Sequence, residues 1–369
     1  MSILTPAKRV LSTLKERVMR AIVNNYLLED ELLVRRFKRH PHTLHLHPTN
    51  ICNARCVFCS YRHSTEEKIV AETREFCRAI DDWMSKVTGD TRLEVGTNNG
   101  DALVDPDLIT KLRYAKDKGV TTIFFPTNGI LLKRGNLCEE LVQVVDNIAI
   151  SIPGFDREDY KLVYGVDKAD EVLEGVIKLA EAKRAANSPI KIELYPRIDR
   201  PWEEVLQDEG MKRLEPYIAD GTLIIPPEQI RNEEMFTWGG VITDDDMPGT
   251  MKLRHREFDP KRRPCRNPLK DVSILPDGQV RVCSCQYMNT NYDELVIGDT
   301  REASLDDILF APRHRQVLKD MASGNWAPVC ANCSIFEPVR LSLRESFAWT
   351  LELIRLRLAR RFGLRWIGE

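Results

Sequence analysis

Ten cysteines stand in a chain of 369 residues, and most of them fall into two groups. The first is Cys52, Cys56 and Cys59 in the string HLHPTNICNARCVFCSY, a C-x3-C-x2-C spacing directly after a short apolar run. Thiolates are soft ligands that suit zinc, copper(I) or iron–sulfur clusters. A structural zinc wants four ligands in a closed tetrahedron. Only three cysteines stand here, with His63 the nearest candidate fourth ligand. Three thiolates suit a [4Fe–4S] cube with one iron left open to an external ligand. The second group is Cys265, Cys283, Cys285, Cys330 and Cys333. Its C-x2-C knuckle is of the kind zinc modules use, so spacing alone leaves zinc and iron–sulfur equally open. Cys77 and Cys138 sit at apolar positions of expected helices and read as core residues.

Composition bounds the rest. The chain is 43% hydrophobic and 30% charged, an ordinary globular balance. Its length suggests about two domains. No run of about 18 apolar residues exists, so no spanning helix is expected. The first segment, MSILTPAKRVLSTLKERVMRAIVNN, interrupts its apolar residues with charge and lacks the core of a secretory signal. Reduced thiols and a cytoplasmic location follow as the expectation. A net charge of −2 offers no basic field for nucleic acid.

The elements that position these cysteines alternate in type. Residues 1–38 read as helix, within an extension over 1–42. Short apolar runs follow at Leu44–His47, Arg92–Val95, Thr121–Phe125, Asn147–Ile152, Ile190–Tyr195 and Thr222–Ile225. Charged stretches with helical apolar spacing lie between several of them. Six strands alternating with helices predict an α/β parallel sheet or barrel over 43–242, too short for a complete eight-stranded one. Residues 243–264, with three consecutive aspartates and two prolines, read as a linker. A small α+β domain over 265–337 opens with the hairpin-like VSILPDGQVRVC. Residues 338–369 read as a basic amphipathic helix, with Phe347, Leu351, Ile354, Leu358 and Phe362 on one face and Trp349 and Trp366 nearby. The expected arrangement is that both end helices pack on the barrel. A peripheral contact with anionic lipid is the sharper alternative.

With these motifs the chain resembles the radical S-adenosylmethionine (SAM) superfamily, whose signature is C-x3-C-x-Φ-C with an aromatic, here Phe58, before the last cysteine. The resemblance covers roughly residues 43–336. It implies a partial (β/α)6 barrel and a SAM-binding [4Fe–4S] cluster on Cys52, Cys56 and Cys59. It further implies reductive cleavage of SAM to a 5′-deoxyadenosyl radical that abstracts hydrogen from substrate. Asn99-Gly100-Asp101 stands where the family holds the SAM amine, although Asp101 replaces the usual glutamate. Thr127-Asn128-Gly129 matches the family's turn after the third strand. Ser151 stands where the family places a serine near the SAM carboxylate, but the family's following Asp is absent. Arg197 follows the fifth strand as a candidate carboxylate partner.

The string from PCRNPLKDVSILPDGQVRVCSC to VCANC resembles the auxiliary-cluster domain called SPASM. No cysteine follows Cys333, so the shortened form, twitch, with one auxiliary [4Fe–4S] cluster is implied. Cys265, Cys283, Cys330 and Cys333 are its implied ligands, with Cys285 an alternative. A small polar metabolite as substrate, an external donor such as flavodoxin or ferredoxin, and a net two-electron, carbinol dehydrogenase-like oxidation complete the reading. A peptide maturase and a redox-neutral epimerase or lyase are the enzymatic alternatives. A zinc or iron–sulfur redox sensor or scaffold is the alternative outside enzymes. His45 and His47, two positions apart on the first strand, are candidate substrate contacts or base. No residue is assigned a catalytic role. Trp238-Gly239-Gly240 reads as a tight turn closing the barrel region.

Overall fold

The computed structural model describes residues 6–36, 41–96, 99–227, 229, 234–283 and 294–364, with side chains from residue 13 on. Cys285 and Trp366 lie outside these residues.

The barrel region runs β1 (Thr43–Leu46), α3 (Thr73–Met84), β2 (Arg92–Val95), α4 (Leu108–Asp117), β3 (Thr122–Thr127), α5 (Leu137–Val144) and β4 (Asn147–Ile152). It continues with α6 (Arg157–Tyr164), α7 (Ala169–Ala186), β5 (Lys191–Pro196), α8 (Trp202–Val205), α9 (Glu209–Ala219) and β6 (Leu223–Ile224). The six strands pair in parallel and in chain order, the singly wound succession of a partial (β/α)6 barrel. Each strand alternates faces. Leu44, Leu93, Ile123, Phe125, Ile148, Ile150, Ile192 and Leu194 bury against helix residues such as Phe76, Ile80, Trp83 and Val176. The intervening positions carry His45, Glu94, Phe124, Asn147, Ser151, Glu193 and Tyr195, so the inner face is polar.

At the end of the expected barrel region stands β7 (Glu234–Met235), and the expected linker holds a strand of its own, β8 (Lys252–Leu253), which pairs with it in parallel. Beyond it come β9 (Asp271–Ile274), β10 (Gln279–Arg281), β11 (Val296–Asp299), α10 (Leu305–Phe310), α11 (Pro312–Ser323) and α12 (Pro328–Ala331). The hairpin expected from VSILPDGQVRVC is β9–β10, turned at Gly278 in the left-handed region (φ +87). What the sequence did not announce is that β9 also pairs with β1, in parallel, from Thr43↔Asp271 to Leu46↔Ile274. One nine-stranded sheet therefore runs from the small C-terminal region through the barrel.

The end helices are α1 (Pro6–Leu27), α2 (Asp30–Arg36) and α13 (Leu343–Phe362). The single helix expected over 1–38 is thus two. They make a second core with α11, built on Tyr26, Leu27, Leu33, Leu318, Trp349, Leu353 and Leu356, and this core, separate from the barrel's, is where they pack. Tyr26 stacks on Trp349 with ring centroids 4.0 Å apart. Full burial of side chains such as Leu353 and Leu356 contributes about 1.5–3 kcal/mol each. The face of α13 that packs is therefore the Trp349 face. The expected apolar set lies opposite: Phe347, Ile354, Leu358 and Phe362 are exposed and Leu351 half-buried.

Candidate radical SAM site and auxiliary cysteine cluster

The loop after β1 carries the first cysteines, and its shape is fixed by side chains that bond backbone. Asn50 bonds Glu67 O and Ile69 N, and the Thr49 hydroxyl donates to Ile69 O. Arg55 N and Val57 N donate to Tyr164 O and Val163 O, which ties the loop to the end of α6. Gly165 adopts φ +67 there because a Cβ would stand 2.8 Å from Arg55 O. Burial pushes the Cys52 thiol up to about 12 and Cys59 to about 11. Cys56 is raised as well, through burial and then the neighbouring Cys59 and Cys52. Three buried thiols whose ionisation is disfavoured form a donor set that needs a cation to become thiolates. No three His, Cys, Asp or Glu among the described residues stand close enough to hold a single metal ion. The ligands of a cluster bind different irons and need no such closeness.

The polar groups beside this loop fit a bound SAM. Asn128 Nδ2 lies 2.7 Å from Asn53 Oδ1 and 3.6 Å from Cys52 Sγ. Asn99 accepts from Ser60 Oγ at 2.9 Å, and its buried Nδ2 has no hydrogen-bond partner among the described residues. A buried donor without an acceptor is costly, and a ligand oxygen would satisfy it. Gly100 has φ +104 and its Cα faces Thr49 O, where a Cβ would come to 2.7 Å. Phe58 packs edge-on to Tyr164, and Tyr164 donates to Ser151 Oγ at 2.7 Å.

Asp101, the amine-binding residue that the resemblance implied, is also tied into the turns around it. Its oxygens accept from Thr127 Oγ1 at 2.9 and 3.1 Å, Asn128 N at 2.8 Å and Leu103 N at 3.0 Å. Burial raises its carboxyl above the usual range, with those donors opposing. The carboxylate thus clasps the turn after β3 to the turn after β2. A second clasp stands behind it: Asp105 and Lys111, both fully buried, pair at 2.6 Å, and Lys111 also donates to Ala71 O.

The inner face offers a substrate several polar groups. His45 lies 3.4 Å from Glu94 and 3.8 Å from Asp271, and Glu94 pairs with Arg92. Glu193 accepts from Tyr195 OH at 3.1 Å and Asn147 Nδ2 at 3.4 Å, with no ion-pair partner among the described residues. His47 is buried beside Ser273 Oγ at 3.0 Å. Arg197 is drawn inward rather than solvated, bonding Pro196 O and Gln229 Oε1.

Cys265, Cys283, Cys330 and Cys333 converge in the C-terminal region, close enough that Cys283, Cys333 and Cys265 each raise Cys330 beyond the effect of burial. Cys265 is pushed up to about 12 and Cys333 to about 11, burial first. Two arginines answer that need for positive charge. Arg262 donates to Cys330 O at 2.8 Å from within a cage of Phe336, Trp326 and Phe258. Arg281, fully buried, donates to Cys283 O. Neither was singled out in the sequence, where Arg262 falls in the expected linker and Arg281 in the expected hairpin. Outside the two groups Cys138 is buried as expected, whereas Cys77 is half-buried.

The segment expected to be only a turn joins the two cysteine groups. Trp238 Nε1 donates to Phe58 O at 2.8 Å, inside the first loop. Its neighbour Thr237 bonds Asn332 O at 2.9 Å and Ser334 Oγ at 3.1 Å, on either side of Cys333. Trp238 itself holds φ +48, a strained value for a non-glycine residue.

Comparison with known proteins agrees with this geometry. Residues 46–207 match the radical SAM superfamily model and residues 265–334 match the SPASM iron–sulfur cluster-binding domain. A probable GTP 3′,8-cyclase of Sulfurisphaera tokodaii is 28% identical over 162 residues, 43% of this chain and 49% of that protein. One from Metallosphaera sedula is 28% identical over 166 residues, 43% and 48% of the two chains. The chain thus spans about half the length of the curated relatives it matches. Among solved structures, BtrN in complex with AdoMet and 2-DOIA aligns at 13% identity and TM-score 0.49, over 80% of this chain and 94% of that one. Native anSMEcpe with bound AdoMet aligns at 13% identity and TM-score 0.49, over 86% and 98%.

Proposed function

We propose, from the match of residues 46–207 to the radical SAM superfamily model and of residues 265–334 to the SPASM domain, that the chain oxidises a small polar metabolite by two electrons at a carbinol carbon. Its cofactors are SAM with a [4Fe–4S] cluster and an auxiliary iron–sulfur cluster. Cys52, Cys56 and Cys59 hold the first, and Cys265, Cys283, Cys330 and Cys333 the second. Reductive cleavage of SAM supplies a 5′-deoxyadenosyl radical, which takes one hydrogen atom from the carbinol C–H. The substrate radical then loses its hydroxyl proton and one electron and leaves as the carbonyl compound. Glu193, Glu94 and His45 stand ready on the inner face to orient the hydroxyl and accept that proton. Four protein thiols leave the auxiliary site closed to substrate and suited to receive the electron, with Arg262 and Arg281 stabilising added negative charge. An external donor such as flavodoxin or ferredoxin supplies the electron for SAM cleavage.

The observation that carries this reading is the short segment that joins the two cysteine groups, in a chain whose barrel has a polar inner face. That inner face also weighs against a nucleoside triphosphate, the substrate named for the cyclase relatives. Arg92 is already paired with Glu94, and the uncompensated Glu193 would repel a polyphosphate. The test is anaerobic turnover of reconstituted chain with polyols and amino-polyols. Each carbonyl product should accompany one 5′-deoxyadenosine. Cys330→Ala should spare SAM cleavage more than product formation. Product isomeric with its substrate would refute the oxidation and leave an epimerase, and product lacking the atoms of an eliminated group would leave a lyase.

A further inference from the structure

We propose that the outward face of α13 seats the protein on an anionic lipid surface. The helix has two apolar stripes on opposite sides. The Trp349, Leu353 and Leu356 stripe is spent on the second core. The other leaves Phe347 71%, Ile354 48%, Leu358 46% and Phe362 64% exposed. On α1, against which α13 packs, Leu14 and Val18 are exposed as well. Twenty residues of helix carry this stripe over about 30 Å. Side chains of this size normally avoid water as a group.

Charge selects the occupant. Each described carboxylate on the three end helices already has a partner. Glu16 pairs with Arg263, Asp30 with Arg315 and Lys319, and Glu29 and Glu31 with Arg360. Glu352 pairs with Arg35, and Glu345 closes the capping box with Ser342 at the start of α13. By contrast Lys15, Arg17, Arg344, Arg355 and Arg361 are exposed and none pairs with a carboxylate among the described residues. The accessible charge around the stripe is therefore positive. A second copy meeting this face about a two-fold axis would bring its arginines against their own kind. A convex helix crest offers no groove for a peptide. Apolar side chains flanked by uncompensated arginines match the acyl chains and phosphate layer of an anionic membrane face.

The test is sedimentation of the full chain with phosphatidylcholine vesicles, with and without phosphatidylserine, at low and physiological salt. Binding should require phosphatidylserine and weaken with salt. Arg344→Gln, Arg355→Gln and Arg361→Gln together should lower the partition coefficient on the order of 100-fold, at about 1 kcal/mol per basic residue. Phe347→Ser with Leu358→Ser should lower it as well, while an unchanged melting curve shows that the second core is intact. Absence of binding by the unaltered chain at low salt would overturn the proposal without recourse to any variant. So would equal binding by the arginine variant. A concentration-dependent dimer abolished by Phe347→Ser would assign the face to a second copy instead.

Discussion

His47 joins β1 to β9 and supplies a pH signature for that seam. Its ring is 2% exposed and its Nε2 lies 3.0 Å from Ser273 Oγ. Burial, with help from His45 and Arg281, lowers it from 6.5 to about 3. The unfolded chain therefore takes up the proton first. The stability it confers is complete above 6.5 and is lost progressively as pH falls towards 3. Between about pH 7.5 and about pH 5 that linkage amounts to about 2 kcal/mol. His47→Gln keeps a donor for Ser273 but cannot charge. Urea midpoints of both chains, followed anaerobically by tryptophan fluorescence, give the comparison. The unaltered chain should lose about 2 kcal/mol more than the variant over that interval. His314, also buried and lowered to about 4, contributes equally to both and cancels. An identical pH slope in the two chains would refute the buried neutral imidazole and the seam built on it.

Further outcomes follow from the site. Gly100→Ala places a Cβ 2.7 Å from Thr49 O at φ +104, and should cost about 2 kcal/mol or more. Iron content should fall at the first cysteine group alone, as EPR would resolve. Lys111→Met strands the fully buried Asp105 and should lower unfolding stability by about 3–5 kcal/mol. Adding Asp105→Leu should restore most of that loss in the same urea titration. Trp238→Phe removes the bond to Phe58 O and should cost about 1–2 kcal/mol. Hydrogen exchange should quicken around Phe58 and Asn332 together, since one segment braces both loops.

The barrel was legible because its strands are short apolar runs whose neighbours along the chain are also neighbours in the sheet. β4 occupies the same Asn147–Ile152 that its apolar run indicated. The two cysteine groups were legible from spacing. The β1–β9 pairing was not, because it joins distant segments and leaves no local pattern. Lys111 did leave one: with Leu108, Leu112 and Ala115 it falls on the buried stripe of α4, where a lysine must find a carboxylate. The bond that Asp101 accepts from Asn128 N was not legible, because it depends on a turn 27 positions away. On α13 two stripes satisfy the helical period equally. Stacking of Trp349 on Tyr26, a tertiary event, decides which is buried.

Pairing of Thr43 with Asp271 also sets an order of assembly. A growing chain emerges from its amino end, so β1 and the cysteine loop behind it are made more than two hundred residues before the strand that completes them. Until β9 arrives, β1 is an open sheet edge, and the His47 amide lacks the Ile274 carbonyl it later bonds. Joining such remote segments is slow relative to local contacts. The strand that leads into the first cysteine loop is thus among the earliest parts to be synthesised and among the last to gain its second neighbour. A chain truncated before β9 therefore leaves that edge open even though all three cysteines of the first loop are present.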